Sequence, residues 1–273
     1  MLYFVATPIG NLSDISLRAL EVLRKADAIF CEDTRHSQRL LQHYEIAKPL
    51  YSYHKFNEEE KIKQISALLE DGKELCLLCD AGTPTIADPG KRLIRHCVSK
   101  GFPYTALPGP CAMIQALSLC SFSTEPMQFL GFLPKKSQDL KQILLKAIVY
   151  QGTSLAYESP KRLISTLQSI KDFSAALKVA VARELTKKFE EVKEGPVEDL
   201  LEYYTKYPCK GEIVLLIEGT KMPHDSWEHL SEKEHVEEIM DLYKISLKEA
   251  LKLVAELRYI SKREVYQRFH IDS

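Results

Sequence analysis

Several stretches of this 273-residue chain place polar or backbone-permissive residues just past an apolar run, where a strand would end. The richest is Asp80-Ala-Gly-Thr-Pro-Thr-Ile-Ala-Asp-Pro-Gly90, which follows Leu75-Cys-Leu-Leu78 and precedes a helical pattern at Leu93, Ile94 and Cys97. Thr7-Pro-Ile-Gly-Asn11 and Pro108-Gly-Pro-Cys-Ala112 repeat the arrangement with few charges, and Glu32-Asp-Thr-Arg-His36 repeats it with many. None matches G-x-G-x-x-G or G-x-x-x-x-G-K-[ST], so a pyrophosphate held at a helix N-terminus is not the expected ligand. Loops of Gly and Pro instead let the backbone come close to a compact ligand without phosphate. Each loop alone reads as an ordinary strand-to-helix turn. At the carboxyl ends of one open sheet, all four read as a binding cleft. Two more polar clusters, Glu158-Ser-Pro-Lys-Arg162 and Arg183-Glu-Leu-Thr-Lys-Lys188, also follow apolar runs.

The elements that must position these loops follow from periodicity. Apolar runs at 2–6, 28–31, 49–53, 75–78 and 104–107 alternate with helical patterns from Asp14, around Leu40 and Leu41, and over 58–70. That alternation predicts an α/β fold with a parallel doubly wound sheet. The period breaks near Ser118–Pro126, which divides an N-terminal α/β domain, residues 1–117, from a second α/β domain, residues 118–220. There, strands are expected at 129–133, 153–157, 178–182, 190–195 and 211–219 with a helix over 140–148, and the short strands with fewer crossovers suggest a mixed sheet. Three S-x-x-E capping boxes, Ser231/Glu234, Ser246/Glu249 and Ser261/Glu264, open helices in a C-terminal module, residues 231–273. Lys221–Trp227 reads as a linker with one aromatic anchor. The module is expected to be separable and to dock a large substrate; the competing reading packs it into the dimer or the cleft.

Lys and Arg number 37 against 38 Asp and Glu, for a net charge of −1, so no global positive field advertises a nucleic-acid partner. Local basic clusters exist at Lys135/Lys136, Lys161/Arg162, Lys187/Lys188 and Arg258–Arg268. No apolar run is long enough to span a bilayer and no signal-peptide pattern opens the chain. Seven cysteines without framework spacing fit a cytoplasmic protein. Cys76-Leu-Leu-Cys79 falls inside an apolar strand and reads as buried thiols, not as a redox or zinc pair.

Eight motifs then carry a resemblance. Val5–Ile15, Glu32–His36, Asp80–Pro84 with Asp88–Gly90, and Leu107–Ala112 supply it in the first half. Gly131–Pro134, Tyr157–Leu163, Ala182–Lys187 and Lys210–Val214 supply it in the second. Together they resemble the bacterial small-subunit ribosomal RNA 2′-O-ribose methyltransferase I family, within the tetrapyrrole-methylase superfamily. The resemblance implies two α/β domains with S-adenosylmethionine in the cleft between them and a homodimer; a sulfonium is already an activated electrophile, so no metal is expected. It implies methyl transfer to the ribose 2′-hydroxyl of a cytidine in small-subunit ribosomal RNA or a partly assembled subunit. Its cofactor-contacting positions fall on Ile9, Gly82, Thr83, Ile86, Cys111, Ala112, Tyr157 and Leu185, with Gly10, Asp80 and Pro84 in the same loops. Thr85, Cys79 and Lys161 stand where related enzymes often have Gly, Ser and His.

A ribose hydroxyl is a weak nucleophile, so a nearby base and an orienting cation are expected. Glu158, Arg183, Glu184 and Lys187 are the catalytic candidates, and Arg35 and Arg162 the substrate-binding ones. Glu32 and Asp33 stand beside them as further candidates. The alternative for each is a structural ion pair. Two other functions keep the fold: C-methylation of a corrin or porphyrin ring, and cofactor-binding regulation without catalysis.

Overall fold

Near-continuous apolar runs, buried on both faces in the central strands, make the first half of the chain a parallel sheet. A computed structural model describes residues 1–219, 227, 229–243 and 245–271; residues 221–226 of the expected linker lie outside them. The chain divides into two compact units, one of Met1–Ser118 with Arg183–Glu191 and the other of Leu119–Ala182 with Val192–Ser273.

In unit 1 the strands are β1 (Leu2–Val5), β2 (Ala28–Cys31), β3 (Leu50–Ser52), β4 (Leu75–Leu78) and β5 (Tyr104–Leu107). They lie in the order β3-β2-β4-β1-β5, with every pair parallel. Leu2, Phe4, Phe30, Leu75 and Leu77 face a core completed by Ile65 of α3 (Glu58–Glu70) and Leu93 of α4 (Lys91–Lys100). The intervening Val5, Ile29, Cys31, Cys76 and Leu78 face a second core with Leu23 of α1 (Leu17–Lys25) and Leu40 of α2 (Thr34–His43). Neighbouring strands β1 and β4 therefore send their chains to opposite faces of the sheet. The gap between their carboxyl ends is the topological switch point, where open α/β sheets bind ligands. Cys76 sits within this packing, and burial pushes its thiol up to about 12.

Unit 2 contains β6 (Met127–Phe132), β7 (Thr153–Glu158), β8 (Lys178–Arg183), β9 (Glu191–Pro196) and β10 (Ile213–Glu218), in the order β6-β7-β10-β8-β9. β7 runs parallel to β6 and antiparallel to β10, so the sheet is mixed. Helices α5 (Ala112–Ser118), α6 (Ser137–Val149), α7 (Pro160–Lys171) and α8 (Val197–Lys206) complete the two α/β units.

The tail forms α9 (Glu232–Tyr243), α10 (Leu247–Leu257) and α11 (Lys262–Ile271). All three capping boxes form: the Ser231, Ser246 and Ser261 backbone N–H groups donate to Glu234, Glu249 and Glu264 at 2.8, 2.9 and 2.8 Å. Local signals thus set the helix starts, but short helices need a packed apolar face to persist. Val236, Ile239, Leu251, Val254 and Val265 share one buried cluster with Leu144 and Ile148 of α6, Leu167 of α7 and Leu215 of β10. The expected separable module is instead part of the unit 2 core.

The basic residues at its end are likewise committed. Arg258 donates to the carbonyls of Leu230 at 2.6 Å and Trp227 at 3.1 Å, and its Nε donates to His235 Nδ1 at 3.1 Å. Arg268 pairs with Glu232. Trp227 stacks on His235 with ring centroids 5.0 Å apart. His235 is fully buried, and its Nε2 has no partner among the described residues. Burial, reinforced by Arg258, lowers its pKa to about 4. The ring is neutral when folded but gains a proton near pH 6.5 when unfolded. Stability is therefore full above pH 6.5 and is lost as pH falls from there toward 4, by up to roughly 3 kcal/mol. Urea denaturation at pH 7.5 and pH 5 checks this: the loss should shrink in His235→Gln, and an equal loss in both proteins would refute it.

Among the described residues, no helix is long and apolar enough to cross a membrane.

Candidate active site

The loops leaving β1 and β4 pair with each other directly beyond the sheet. Thr7 N–H donates to Gly82 O at 2.9 Å, Gly82 N–H donates back to Thr7 O at 3.0 Å, and Thr7 Oγ1 donates to Cys79 O at 3.2 Å. Gly82 has φ +82°, a left-handed conformation that costs glycine nothing. A Cβ there would stand 3.4 Å from Ile9 Cγ2 and 3.7 Å from Pro110 O. Thr83 Oγ1 also donates to Pro110 O, at 3.0 Å, bringing in the loop after β5 that holds Cys111 and Ala112. Three loops expected to line one ligand site are thus joined by named bonds.

A fourth piece arrives from far along the chain. Asn11 N–H donates to Thr186 Oγ1 at 2.9 Å. A Cβ on Gly10 would lie 2.7 Å from Thr186 Oγ1 and 2.8 Å from Leu185 O, and would collide with Lys187 Cγ. Gly10 is therefore the residue that lets the 183–191 segment cross the first loop, and Leu185 and Lys187 come to lie beside Gly10. Within the segment, Lys187 Nζ is 2.9 Å from Glu184 Oε1 and Arg183 Nε is 2.8 Å from Glu191 Oε2. Glu184 and Thr186 have φ of 49° and 63°. Non-glycine residues held in this region concentrate where a loop's shape matters to function.

The central loop carries the same strain at Thr85, φ 71°, and Ala87, φ 65°. A β-branched residue at positive φ is a genuine outlier. Thr85 is therefore held in a strained backbone conformation. Thr85→Gly is expected to raise stability by roughly 0.5–1 kcal/mol, the left-handed penalty less the added entropy of the unfolded chain. The denaturation midpoint reads the change, and a lowered midpoint would contradict it.

Acidic groups gather at the same carboxyl edge. Asp33 N–H donates to Asp80 Oδ1 at 3.1 Å. Burial, then Asp80 and Asp88, raise the Glu32 carboxyl despite the nearby His54 and Lys55. Burial, with Asp80, raises Asp88. Carboxyls held up in this way are under-compensated and suit a cationic ligand. S-adenosylmethionine, with a sulfonium and an ammonium group, has that chemistry, and the weakly charged Gly and Pro loops suit its adenosyl part. Pro84 is buried in the loop and Ile86 half-buried beside it; Arg35 is exposed on the first turn of α2.

The expected residues of unit 2 have a different setting. Glu158 is 4% exposed; it accepts from Ser159 N–H at 2.8 Å and Thr166 Oγ1 at 2.7 Å, and Arg162 Nη2 lies 3.5 Å away. Arg162 donates to the carbonyls of Leu133 at 3.0 Å and Pro134 at 2.5 Å. Both groups hold β7, α7 and the end of β6 together. Tyr157 packs edge-on to Phe129 and Phe132, at 4.9 and 5.3 Å between centroids. Sequence reasoning missed Thr186 and the Pro110 carbonyl, which no side-chain pattern marks.

The family model of the tetrapyrrole (corrin/porphyrin) methylases matches residues 1–201. A ribosomal RNA small subunit methyltransferase I from Halalkalibacterium halodurans is 39% identical, covering 98% of this chain and 94% of its own. One from Bacillus subtilis is 38% identical, covering 99% and 94%. Among solved structures, a cobalt precorrin-4 methyltransferase aligns with a TM-score of 0.60 and 16% identity over 80% of this chain and 94% of its own. A diphthine synthase aligns at 0.61 and 16%, over 80% and 89%. At that identity, the solved structures bear on the fold alone.

Proposed function

The chain belongs to the tetrapyrrole methylase family, among its ribosomal RNA small subunit methyltransferases I, and from that membership we propose that it methylates the ribose 2′-hydroxyl of a cytidine in small-subunit ribosomal RNA. S-adenosylmethionine is the methyl donor, and its sulfonium supplies an activated methyl group when bound.

The observation that supports this reading is the convergence in unit 1 of the loops after β1, β4 and β5 with the 183–191 segment. Ile9, Gly82, Thr83, Ile86, Cys111, Ala112 and Leu185 would hold the adenosyl part, chiefly through backbone and apolar contact. Asp80, with Glu32 and Asp88, would face its positive end. Glu184 is the carboxylate able to accept the hydroxyl proton, with Lys187 at 2.9 Å to compensate its charge and Arg183 oriented by Glu191. Arg35, exposed beside the acidic edge, would meet a substrate phosphate. A homodimer belongs to the same proposal; light scattering should then give twice 31.2 kDa.

Incubating the protein with radiolabelled S-adenosylmethionine and small subunits lacking the modification tests the function. Label should appear in 2′-O-methylated cytidine after nuclease digestion. Label on a base alone, or on a porphyrinogen acceptor in place of RNA, would overturn the reading.

A further inference from the structure

Unit 2 carries a groove between α6 and the α10–α11 pair, lined by none of the residues assigned above to the donor site. Leu145 and Leu253, both buried, form its floor. Lys141 and Lys146 of α6 stand on one rim, and Lys248, Lys252 and Lys262 on the other; all five are exposed. Lys146 is offset by Glu256 at 2.9 Å and Lys141 by Glu249 at 3.7 Å. Lys252 bonds to the neutral Gln142 at 3.1 Å, which leaves its charge uncompensated. Lys248 and Lys262 make no ion pair among the described residues.

A chain with a formal charge of −1 thus concentrates three uncompensated lysines on one apolar-floored groove. The arginines at 258 and 268, by contrast, are bound to Glu232 and the tail backbone. Lysine is a strongly hydrated point charge on a flexible stem, suited to phosphates whose positions vary along a backbone. Neutralised phosphates release counterions, and that release supplies sequence-independent affinity. We propose that this groove docks the sugar-phosphate backbone of the RNA substrate; the inference rests on the RNA acceptor proposed above. An RNA is the polyanion the reaction already requires.

The test compares the parent protein with the combined variant Lys248→Ala, Lys252→Ala and Lys262→Ala, and with the matching set of Lys→Arg changes. Binding to small subunits lacking the modification is measured between 50 and 200 mM salt, with roughly 0.7–0.9 of salt slope per phosphate contact. The Ala variant should bind at least tenfold more weakly at low salt, with a slope shallower by about 2, and the Arg variant should match the parent. Cofactor affinity and melting temperature should not change. An Ala variant with parental affinity and slope would overturn the proposal, as would Ala and Arg variants that are equally weak. Methyl transfer by the parent is recorded in parallel. If it occurs while the Ala variant binds normally, the groove fails and the activity stands; if the parent transfers nothing to subunits, the activity reading fails by itself.

Discussion

Deleting residues 231–273 should unfold unit 2, not release a docking tail. Tyr243, Leu251, Leu253, Val254 and Val265 lie in the same buried cluster as the side chains of α6, α7 and β10, and the cut would leave those partners facing water. Each large apolar side chain contributes roughly 1.5–3 kcal/mol on burial. A few of them together therefore rival the about 5–15 kcal/mol total stability of a domain. The ion pair of Lys146 with Glu256 at 2.9 Å is exposed and adds little. The truncated protein should be insoluble, or melt more than about 10 °C below the parent. A truncated protein that melts with the parent would show that the helices merely rest on the surface.

Gly10→Val should remove cofactor binding while leaving the parallel sheet folded. The new side chain would enter space filled by Lys187 Cγ, by Thr186 Oγ1 at 2.7 Å and by the Leu185 carbonyl at 2.8 Å. One of these is backbone, so the 183–191 segment must move and lose the Asn11–Thr186 bond of 2.9 Å. Displacements near 1 Å at a positioned site commonly lower rate about 100-fold. We expect at least that loss in methyl transfer, with cofactor affinity undetectable by calorimetry and little change in far-ultraviolet circular dichroism. Gly72→Ala is the control: it has φ +76° but nothing within 4 Å, so it should cost about 1 kcal/mol and leave the cofactor alone. Parental cofactor affinity in Gly10→Val would remove the 183–191 segment from the site.

Sequence alone reached most of unit 1 because its central strands, buried on both faces, read as plain apolar runs: those at 28–31 and 75–78 coincide with β2 and β4, and the run at 104–107 with the more exposed β5. Helices α7 and α8 went unread. Pro160 at the first turn of α7 is a start signal that the surrounding polar cluster, 158–162, obscures. In α8, the acidic first turn at Glu198 and Asp199 was the corresponding sign. Glu158 and Arg162 looked reactive because they are charged at a strand end, and only the positions of Thr166, Leu133 and Pro134 reveal that they are engaged. The lysine groove was illegible because α6 and α10 meet across more than 100 residues of chain, as in the Lys252–Gln142 bond, |i−j| = 110.

Unit 1 takes Arg183–Glu191 from beyond the whole of Leu119–Ala182, and this has a consequence for synthesis. The parallel sheet is complete once the ribosome has made Ser118, and its apolar cores need nothing further. The strip that crosses Gly10 emerges only after the intervening stretch, roughly 3–13 s later at about 5–20 residues per second. During that interval the nascent chain has a folded sheet whose first loop lacks Leu185, Thr186 and Lys187. With the donor site proposed above, methyl-donor binding would be withheld from the growing polypeptide until the second half of the chain has supplied this strip.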